Sequence, residues 1–577
     1  MSKTPNYDKL IQPILDSMQT GEKTCELSGE KWETTERELE AYRKHMVPPP
    51  PHSPLMRHRF MTAMFPGGQW WYSKHPETGK SLISPVHPAT GIKVLPDVEW
   101  HAKDFTSFAK EVDLHKSFLD QVLDLRLAIP SAQNRNFEPA ENSIAVVSLG
   151  DVNSYFVVLS KSKNTFFSVS ALDTESSAEV YNSNAITNGY FISHCERMHT
   201  CQYARESKDC MNCDFVFDCR NCENCFGATN KRNKNFLWFN EQLSEEEWKQ
   251  KRAEVDLGIR SQAQAHLKHF DELMSQCVWP ENFNMHCENC VGEYLTKATN
   301  CEYVYYADGG ANNEYHNTWA IGQCEGNTFC DSLPNAQNCY YCSDASSSSN
   351  CRFCYLVSRS QDLEYCTECF DCENCFGCVG LKHKKFHILN KEYSEQDYWA
   401  KVDEIKCAMM ATKEYGQFLP QKSSPAWFME GGAVRYYNST RELGEKMGAH
   451  MFDPESADAV GDELMGAKVV INTKDLPDSV DELEPFVGKV LYDEKYDRRF
   501  AYLKPEFELY KKLRIAPPTV HHVKRLLDLT QSSQTPEFTT TSCSQCAKDL
   551  IVSVNPGFPK RNIYCNQCYL KYMEERG

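Results

Sequence analysis

The sequence predicts an α+β chain that is mainly β, with two cysteine-lined β-solenoid segments, helical caps and zinc-ribbon-like modules at its ends. Three observations carry this expectation: a period of three in small residues, an internal repeat, and four cysteines spaced as a metal site. The period is clearest in "YCTECFDCENCFGCVG", where Cys366, Cys369, Cys372, Cys375 and Cys378 stand at every third position. The same interval runs from Ser168 through Val180, Cys195, Cys201, Cys213 and Cys225 to Ala228. It runs again from Cys324 through Cys339, Cys351 and Leu363 to Cys378, after a phase-shifted lead-in from Gly292 through Leu295, Ala298, Cys301 and Val304 to Ala307. Members are small or apolar apart from one polar lapse at Asn327, while the residues between them include Asp, Glu, Lys, Arg, Asn and Tyr.

Neither a helix at 3.6 residues per turn nor a flat strand at 2 gives a period of three. A thin β-solenoid does, because every third side chain points into a lumen that admits only small residues. Cys is a small, readily buried hydrophobe. Cysteines also recur at twelve (Cys342, Cys354, Cys366, Cys378), so coils of four triplets stack like on like at the ~4.8 Å strand spacing. Where a triplet position is not Cys it is Ala, Ser, Val or Leu, which preserves size and loses ligation. Packing is therefore the preferred reading. Iron–sulfur or zinc ligation of the 366–378 run and a disulfide framework are the alternatives. The ferredoxin spacing is approached, but its fourth gap is wrong, and Ala228 stands where the first half would need a counterpart of Cys378.

Internal similarity organises the rest. "CENCFGATNKRNKNFLWFNEQLSEEEW" from Cys222 matches "CENCFGCVGLKHKKFHILNKEYSEQDY" from Cys372 at an offset of 150, pairing Gly227 with Gly377 and Ser244 with Ser394. "ELEAYRKHMVPPP" from Glu38 matches "EFELYKKLRIAPP" from Glu506 at an offset of 468, placing Arg57 on Arg525. "FLWFN" and "FHILN" read as short strands. Ser244 and Ser394 read as helix N-caps with Glu247 and Asp397 three residues on. A second helix is expected over 260–277 and a core helix over 105–125. "HPETGKSL" and "HPATGIKV" suggest paired hairpins, and 453–484 reads as an acidic connector.

The expected domains are an N-terminal module (1–125), a first Cys-rich solenoid (126–230), a strand–helix cap (231–285) and a second solenoid (286–381). A second cap (382–440), an acidic connector with a degenerate repeat of the N-terminal module (441–530) and a zinc ribbon (531–577) complete the chain.

The strongest metal signal is "CSQCAKDLIVSVNPGFPKRNIYCNQC", which sets Cys543, Cys546, Cys565 and Cys568 in a C-x2-C-x18-C-x2-C arrangement. Two knuckles of two thiolates close a tetrahedron around one Zn²⁺. "DLIVSV" and "RNIYC" are expected to pair as the intervening hairpin, with "NPGFPKR" as its turn. All four positions are protein ligands, so the ion is expected to be structural.

The net charge of −18 argues against non-specific binding to nucleic acid or anionic membrane over the whole surface. No apolar run is long enough to span a bilayer, and the N-terminus lacks a signal-peptide pattern. A cytoplasmic or other reducing intracellular setting is expected, which lowers the odds of disulfides among 28 cysteines. "ETGKS" (77–81) ends like a P-loop but has Lys74 where that motif needs Gly, so a hairpin turn is the reading. His194–Cys195 and His286–Cys287 suggest thiol chemistry only by sequence adjacency. His521 and His522 are read as surface residues. No nucleophile–base pair or nucleotide loop stands out, so no catalytic residue is assigned.

The triplet pattern resembles that of beetle antifreeze proteins in architecture only, since the flat Thr-x-Thr face is missing. Over most of its length, in patches, the chain resembles an uncharacterised Cys-rich zinc-ribbon family of candidate-phyla bacteria and large DNA viruses. The residues carrying this are "YSEQDYW", "YGQFLPQKSSP" (415–425), "DLPDSVDEL" (475–483), "FELYKKLRIAPP" (507–518) and the terminal cysteines. The resemblance implies further ribbon cysteines in the two terminal modules. Here only Cys25 remains in the first, "HSPLMRHR" lacks the usual pair, and "VLYDEKYDRRF" has none. These modules are expected to have lost metal while keeping their fold.

The expected role is a non-enzymatic structural or protein-interaction scaffold with other proteins as partners, in a larger assembly, with a virion component left open. The outward aromatics Tyr340, Tyr341, Phe353, Tyr355 and Phe370 are expected to supply its contacts. The first alternative is a nucleic-acid-binding or regulatory ribbon protein, since residues 500–577 hold 11 Lys/Arg against 7 Asp/Glu. The second is a thiol redox or metal-handling protein.

Overall fold

The computed structural model describes residues 2–455, 457–461, 466–467 and 469–577. Two parallel ladders dominate an α+β chain. In the first, Gln202 pairs with Asp214, Asp214 with Phe226 and Phe226 with Trp238, so the chain returns beside itself every 12 residues. In the second, Tyr355 pairs with Thr367 and Glu373 with Lys385 at the same interval. The early turns differ in length: Ile144 pairs with Tyr155, eleven residues on, and Tyr305 with Thr318, thirteen on.

The residues of the triplet register are buried in both ladders, including Ser168, Cys213, Cys225 and Ala228 in the first and Cys366 to Cys378 in the second. The backbone explains the period. The residue before nearly every inward position is left-handed: Asn212 has φ 52°, Asn224 51°, Asn350 54° and Asn374 50°. Each triplet is thus a short extended run and a corner, and four corners bring the chain back. Asn tolerates the left-handed region better than most residues. The recurring Asn-Cys dipeptides are its trace in the sequence.

Inward polar residues answer backbone groups that the corners leave open. Ser207 Oγ accepts from the Cys219 N–H (3.1 Å) and donates to the Arg205 carbonyl (2.9 Å). Ser360 does the same for Cys372 (3.1 Å) and Ser358 (2.9 Å). Asn327, the polar lapse, is engaged at both ends of its amide. Its Oδ1 accepts from the Cys339 N–H (2.8 Å), while Nδ2 donates to the Ala336 carbonyl (2.9 Å) and to Glu314 (3.0 Å).

One column of left-handed corners in each ladder is aromatic: Phe167, Phe191, Tyr203 and Phe215 in the first, and Phe329, Tyr341, Phe353 and Tyr365 in the second. Tyr203 stacks on Phe215 and Phe353 on Tyr365, both with centroids 4.7 Å apart. Gly227 (φ 70°) and Gly377 (φ 64°) continue these columns, where a Cβ would meet Phe239 Cδ1 at 2.4 Å and Phe118 Cζ at 2.6 Å. Close approach and backbone conformation both require glycine there.

Each aromatic column is covered at its start by a terminal module and farther along by other elements, as where Phe418 stacks on Tyr341 (4.9 Å) and Phe270 meets Phe215 edge-on (5.9 Å). The N-terminal module has helix Glu36–His45, left-handed Met46, N-cap Ser53 and helix Pro54–Thr62. The other has Lys504–Leu513, left-handed Arg514, N-cap His521 and His522–Gln531, the same parts at the 468-residue offset. Arg57 lies 3.6 Å over the Phe329 ring and is paired with Glu38 at 2.6 Å. Arg525 lies 5.2 Å over Phe167 and is paired with Glu179.

This cover corrects the reading of the outward aromatics. Tyr340, Tyr341, Phe353 and Tyr355 are buried, and Phe370 is partly buried, within the chain's own core. The terminal modules need an apolar surface to bury their own, and these columns supply it. His521 and His522 are likewise not surface residues: His521 is buried, and His522 stacks on Phe156 (5.2 Å) and Phe167 (4.8 Å).

Two local expectations also change. The helix expected over 105–125 is Phe118–Ala128, because Asp104 and Asp113 instead accept from the N–H groups of Thr106 (2.9 Å) and His115 (3.0 Å). The first of the paired hairpins forms, Trp71–Lys74 with Ser81–Ser84, with "ETGKS" in its turn. The second does not: His87 Nδ1 accepts from the Ala89 N–H (3.0 Å), and Val94–Leu95 pairs in parallel with Ser131–Ala132.

The caps follow the pattern of the sequence. Ser244 and Glu247 form a capping box ahead of Glu245–Ala253, Arg260–Gln276 follows, and Ser394 caps Glu395–Ala411. Among the described residues no helix is long and apolar enough to cross a membrane.

Candidate metal centre

Phe538–Ser542 and Asp549–Ser553 form an antiparallel hairpin whose tip carries the first cysteine pair. The tip is held by the Cys543 N–H donating to the Lys548 carbonyl (2.8 Å) and the Ala547 N–H to the Cys543 carbonyl (2.8 Å). Ala547 turns it with φ 59°. The second pair opens a helix: Cys565 is the N-cap of Asn566–Arg576 and Cys568 lies in its first turn. The Ser544 N–H donates to the Ile563 carbonyl (2.9 Å) and ties the two knuckles together.

The four Sγ atoms lie within 4.8 Å of one another, and those of Cys546 and Cys565 are 3.8 Å apart. Zn–S bonds of ~2.3 Å in a tetrahedron give S···S edges of about 3.8 Å, so the donor set fits a thiophilic ion of that size. Cys543 and Cys565 are buried, Cys568 is half-buried and Cys546 is exposed. Burial opposes ionisation of Cys543, but N–H groups of Cys565, Cys546 and Gln545 outweigh it and lower its pKa to about 6. The Cys565 N–H is 3.2 Å from the Cys543 sulfur. Four protein thiolates fill a tetrahedron and leave no coordination position for a substrate.

The expected hairpin is corrected. Asp549–Ser553 pairs with Phe538–Ser542, and the "RNIYC" strand finds its ladder partner outside the module. Asn562, Ile563 and Tyr564 pair in parallel with Val278, Trp279 and Pro280. That short strand links helix Arg260–Gln276 of the first half to the second ladder. The terminal helix continues the contact: Tyr569 bonds Asp218 and lies 3.1 Å from Arg232, and the Asn566 N–H donates to Glu281 (3.1 Å). The cysteine site therefore sits over the joint between the ladders.

Three other hairpins share the knuckle. Cys25 donates its N–H to Glu30 (2.7 Å) and accepts from the Gly29 N–H (2.9 Å). His75 repeats this with Lys80 (2.9 Å) and Gly79 (3.0 Å). In place of a thiolate, His75 Nδ1 accepts from the N–H groups of Glu77 (3.1 Å) and Thr78 (3.2 Å). Asp493 accepts from Lys495 (3.2 Å) and from His521 (3.0 Å), the counterpart of Cys565. Sequence reasoning missed His75, although "HPETGK" carries the same spacing from knuckle residue to glycine as "CELSGE".

The cysteines of the two ladders are arranged differently. None of the 28 cysteines is in a disulfide. Cys366, Cys369 and Cys378 donate to carbonyls two residues back, at 3.4, 3.5 and 3.6 Å. Burial pushes the Cys195 and Cys324 thiols up to about 12. Among the described residues, Cys543, Cys546, Cys565 and Cys568 are the one group of three or more potential ligands gathered within 4.8 Å. His194 does not serve Cys195: its ring stacks on Tyr294 at 4.0 Å, and burial lowers its pKa to about 3.

No family model, curated protein or solved structure matches the chain.

Proposed function

We propose that the protein is a non-enzymatic structural scaffold: two β-solenoids held side by side, with a zinc ribbon docked over their joint. The observation that carries this is the parallel pairing of Asn562–Tyr564 with Val278–Pro280, which makes the metal module part of the link between the ladders. The solenoid reading is supported by the 12-residue register, the left-handed corners and the buried triplet residues. Zinc is supported by four thiolates at tetrahedral spacing with no position left for a substrate. The hairpins at Cys25 and Asp493 read as ribbon-like modules whose metal has been replaced by hydrogen bonds.

The partners are proposed to be other proteins in a larger assembly, in a reducing intracellular compartment. The buried aromatic columns do not supply that contact, so the scaffold reading rests on rigidity: each terminal module stiffens one ladder.

Hydrogen exchange with and without a chelator tests the role of the metal. Chelation is expected to raise exchange at 538–577 and also at 278–295, leaving the ladder interiors at 200–228 and 340–378 protected. Exchange that rises within 538–577 alone would separate the ribbon from the joint and overturn the clamp.

A further inference from the structure

Arg435 lies in the short helix Gly432–Tyr437 and is 1% exposed. Its Nε, Nη1 and Nη2 have no hydrogen-bond acceptor among the described residues. That sets it apart from the other deeply buried arginines. Arg57 is paired with Glu38, Arg525 with Glu179, and Arg498 with both Glu430 and Glu455. Neither nearby carboxylate reaches Arg435: Glu430 holds Arg498 through Oε1, its buried Oε2 having no partner among the described residues, and Asp331 accepts from Thr318 and from Ser343 (3.4 Å).

The guanidinium sits where the two ladders, helix Gly432–Tyr437 and the loop at Gly67 meet. A Cβ at Gly67 would stand 3.0 Å from Nη2, and one at Gly68 3.4 Å from it, so bare backbone forms one wall. Tyr181, from the first ladder, is fully buried, its hydroxyl has no hydrogen-bond partner among the described residues, and it packs in one cluster with Tyr436. Tyr436 in turn packs at 4.8 Å, ring tilted, against Trp319 of the second ladder. Burial raises the Tyr181 hydroxyl's pKa and the Arg435 charge pulls it back, in keeping with their proximity.

We infer that this seam binds a small inorganic anion of halide size, held by the Arg435 guanidinium and the Tyr181 hydroxyl. A buried cation without a counter-charge is strongly disfavoured. The Arg435 N–H groups and the Tyr181 hydroxyl can all donate, so an acceptor-only ligand answers them. The enclosure around a guanidinium 1% exposed suits an ion of one or a few atoms rather than an organic acid. The site lies outside the metal module and ties the two ladders to helix Gly432–Tyr437.

Bromide is the probe. Crystals of the full chain grown in sodium bromide are expected to give an anomalous peak in contact with the Arg435 guanidinium. In solution, the melting temperature should rise with bromide against gluconate at equal ionic strength, and Arg435→Met should abolish that dependence. Tyr181→Phe keeps the cation and should shift the bromide midpoint upward about tenfold, the weight of one hydrogen bond to a charged group. An ordered water alone beside Arg435, or the same bromide dependence in wild type and Arg435→Met, would overturn the assignment. The anomalous measurement uses wild type, so it decides the matter even if Arg435→Met fails to fold.

Discussion

Cys25 and Cys543 occupy the same place in two hairpins at opposite ends of the chain. Each donates its N–H to a carbonyl five residues on, Glu30 at 2.7 Å and Lys548 at 2.8 Å, and each accepts from the residue four on. Ser28, Ser53 and Met56 then stand where Cys546, Cys565 and Cys568 stand, and Ser53 is a helix N-cap as Cys565 is. The triple change Ser28→Cys, Ser53→Cys, Met56→Cys is expected to add one bound zinc per chain, read by elemental analysis. An unchanged metal content would show that the shared backbone geometry does not extend to the ligand positions.

Cys372 separates packing from ligation. It is buried, and its sulfur donates to the Phe370 carbonyl at 3.3 Å. Cys372→Ala should cost about 1–2 kcal/mol, the scale of a small core truncation. Cys372→Leu overfills a lumen that strand pairing above and below keeps from relaxing, and should cost ~3 kcal/mol or more. Equal and large losses in both variants, with loss of metal, would make the run a metal site.

The corners can be tested at Asn338, which is exposed and has φ 57° just before inward Cys339. Asn338→Val should destabilise by about 1–2 kcal/mol, the price of a left-handed residue with a branched Cβ. Asn338→Gly should be near neutral. A harmless valine would contradict the left-handed corner as the cause of the period of three.

Acid should loosen the second ladder through Glu364. Its carboxylate is buried among Arg352 (2.9 Å), Lys406 (2.6 Å) and Tyr415 (2.7 Å). Burial alone would raise its pKa, but the two cations outweigh it and hold it at about 2. The shift is a lowering from 4.5, so its contribution is present above pH 4.5 and is lost as pH falls toward 2. Glu364→Gln should lose about 3–5 kcal/mol at pH 7, because two cations are left unpaired, and should flatten that acid limb in thermal melts. A variant with the wild-type acid limb would place the sensitivity elsewhere.

The inward register was legible because it is a rule about size. Ala, Ser, Val, Leu and Cys replace one another at positions buried within each ladder. The terminal four-cysteine group was legible because its two C-x2-C pairs lie outside the triplet register and stand alone in their segment. The corners leave a fainter trace: Asn stands before Cys at 212, 221, 224, 289, 300, 338, 350 and 374, but many other residue types fill the same left-handed positions. The fate of Tyr340 and Phe353 was not legible: an outward aromatic reads alike whether a partner or the chain's own module covers it. The partner of Asn562–Tyr564 was hidden for a related reason. Val278–Pro280 lies far away in sequence, and nothing local marks a three-residue parallel pairing.

Elemental analysis of the purified full-length chain tests the central claim most directly, because it separates a packed lumen with one clamp from a chain built on metal clusters. One zinc per chain and no iron is the predicted result, with Cys543, Cys546, Cys565 and Cys568 as ligands and the lumen cysteines as free thiols. Iron, or two or more zinc ions per chain, would contradict it by requiring ligands from the triplet run, and a chain with no metal would remove the clamp at the joint.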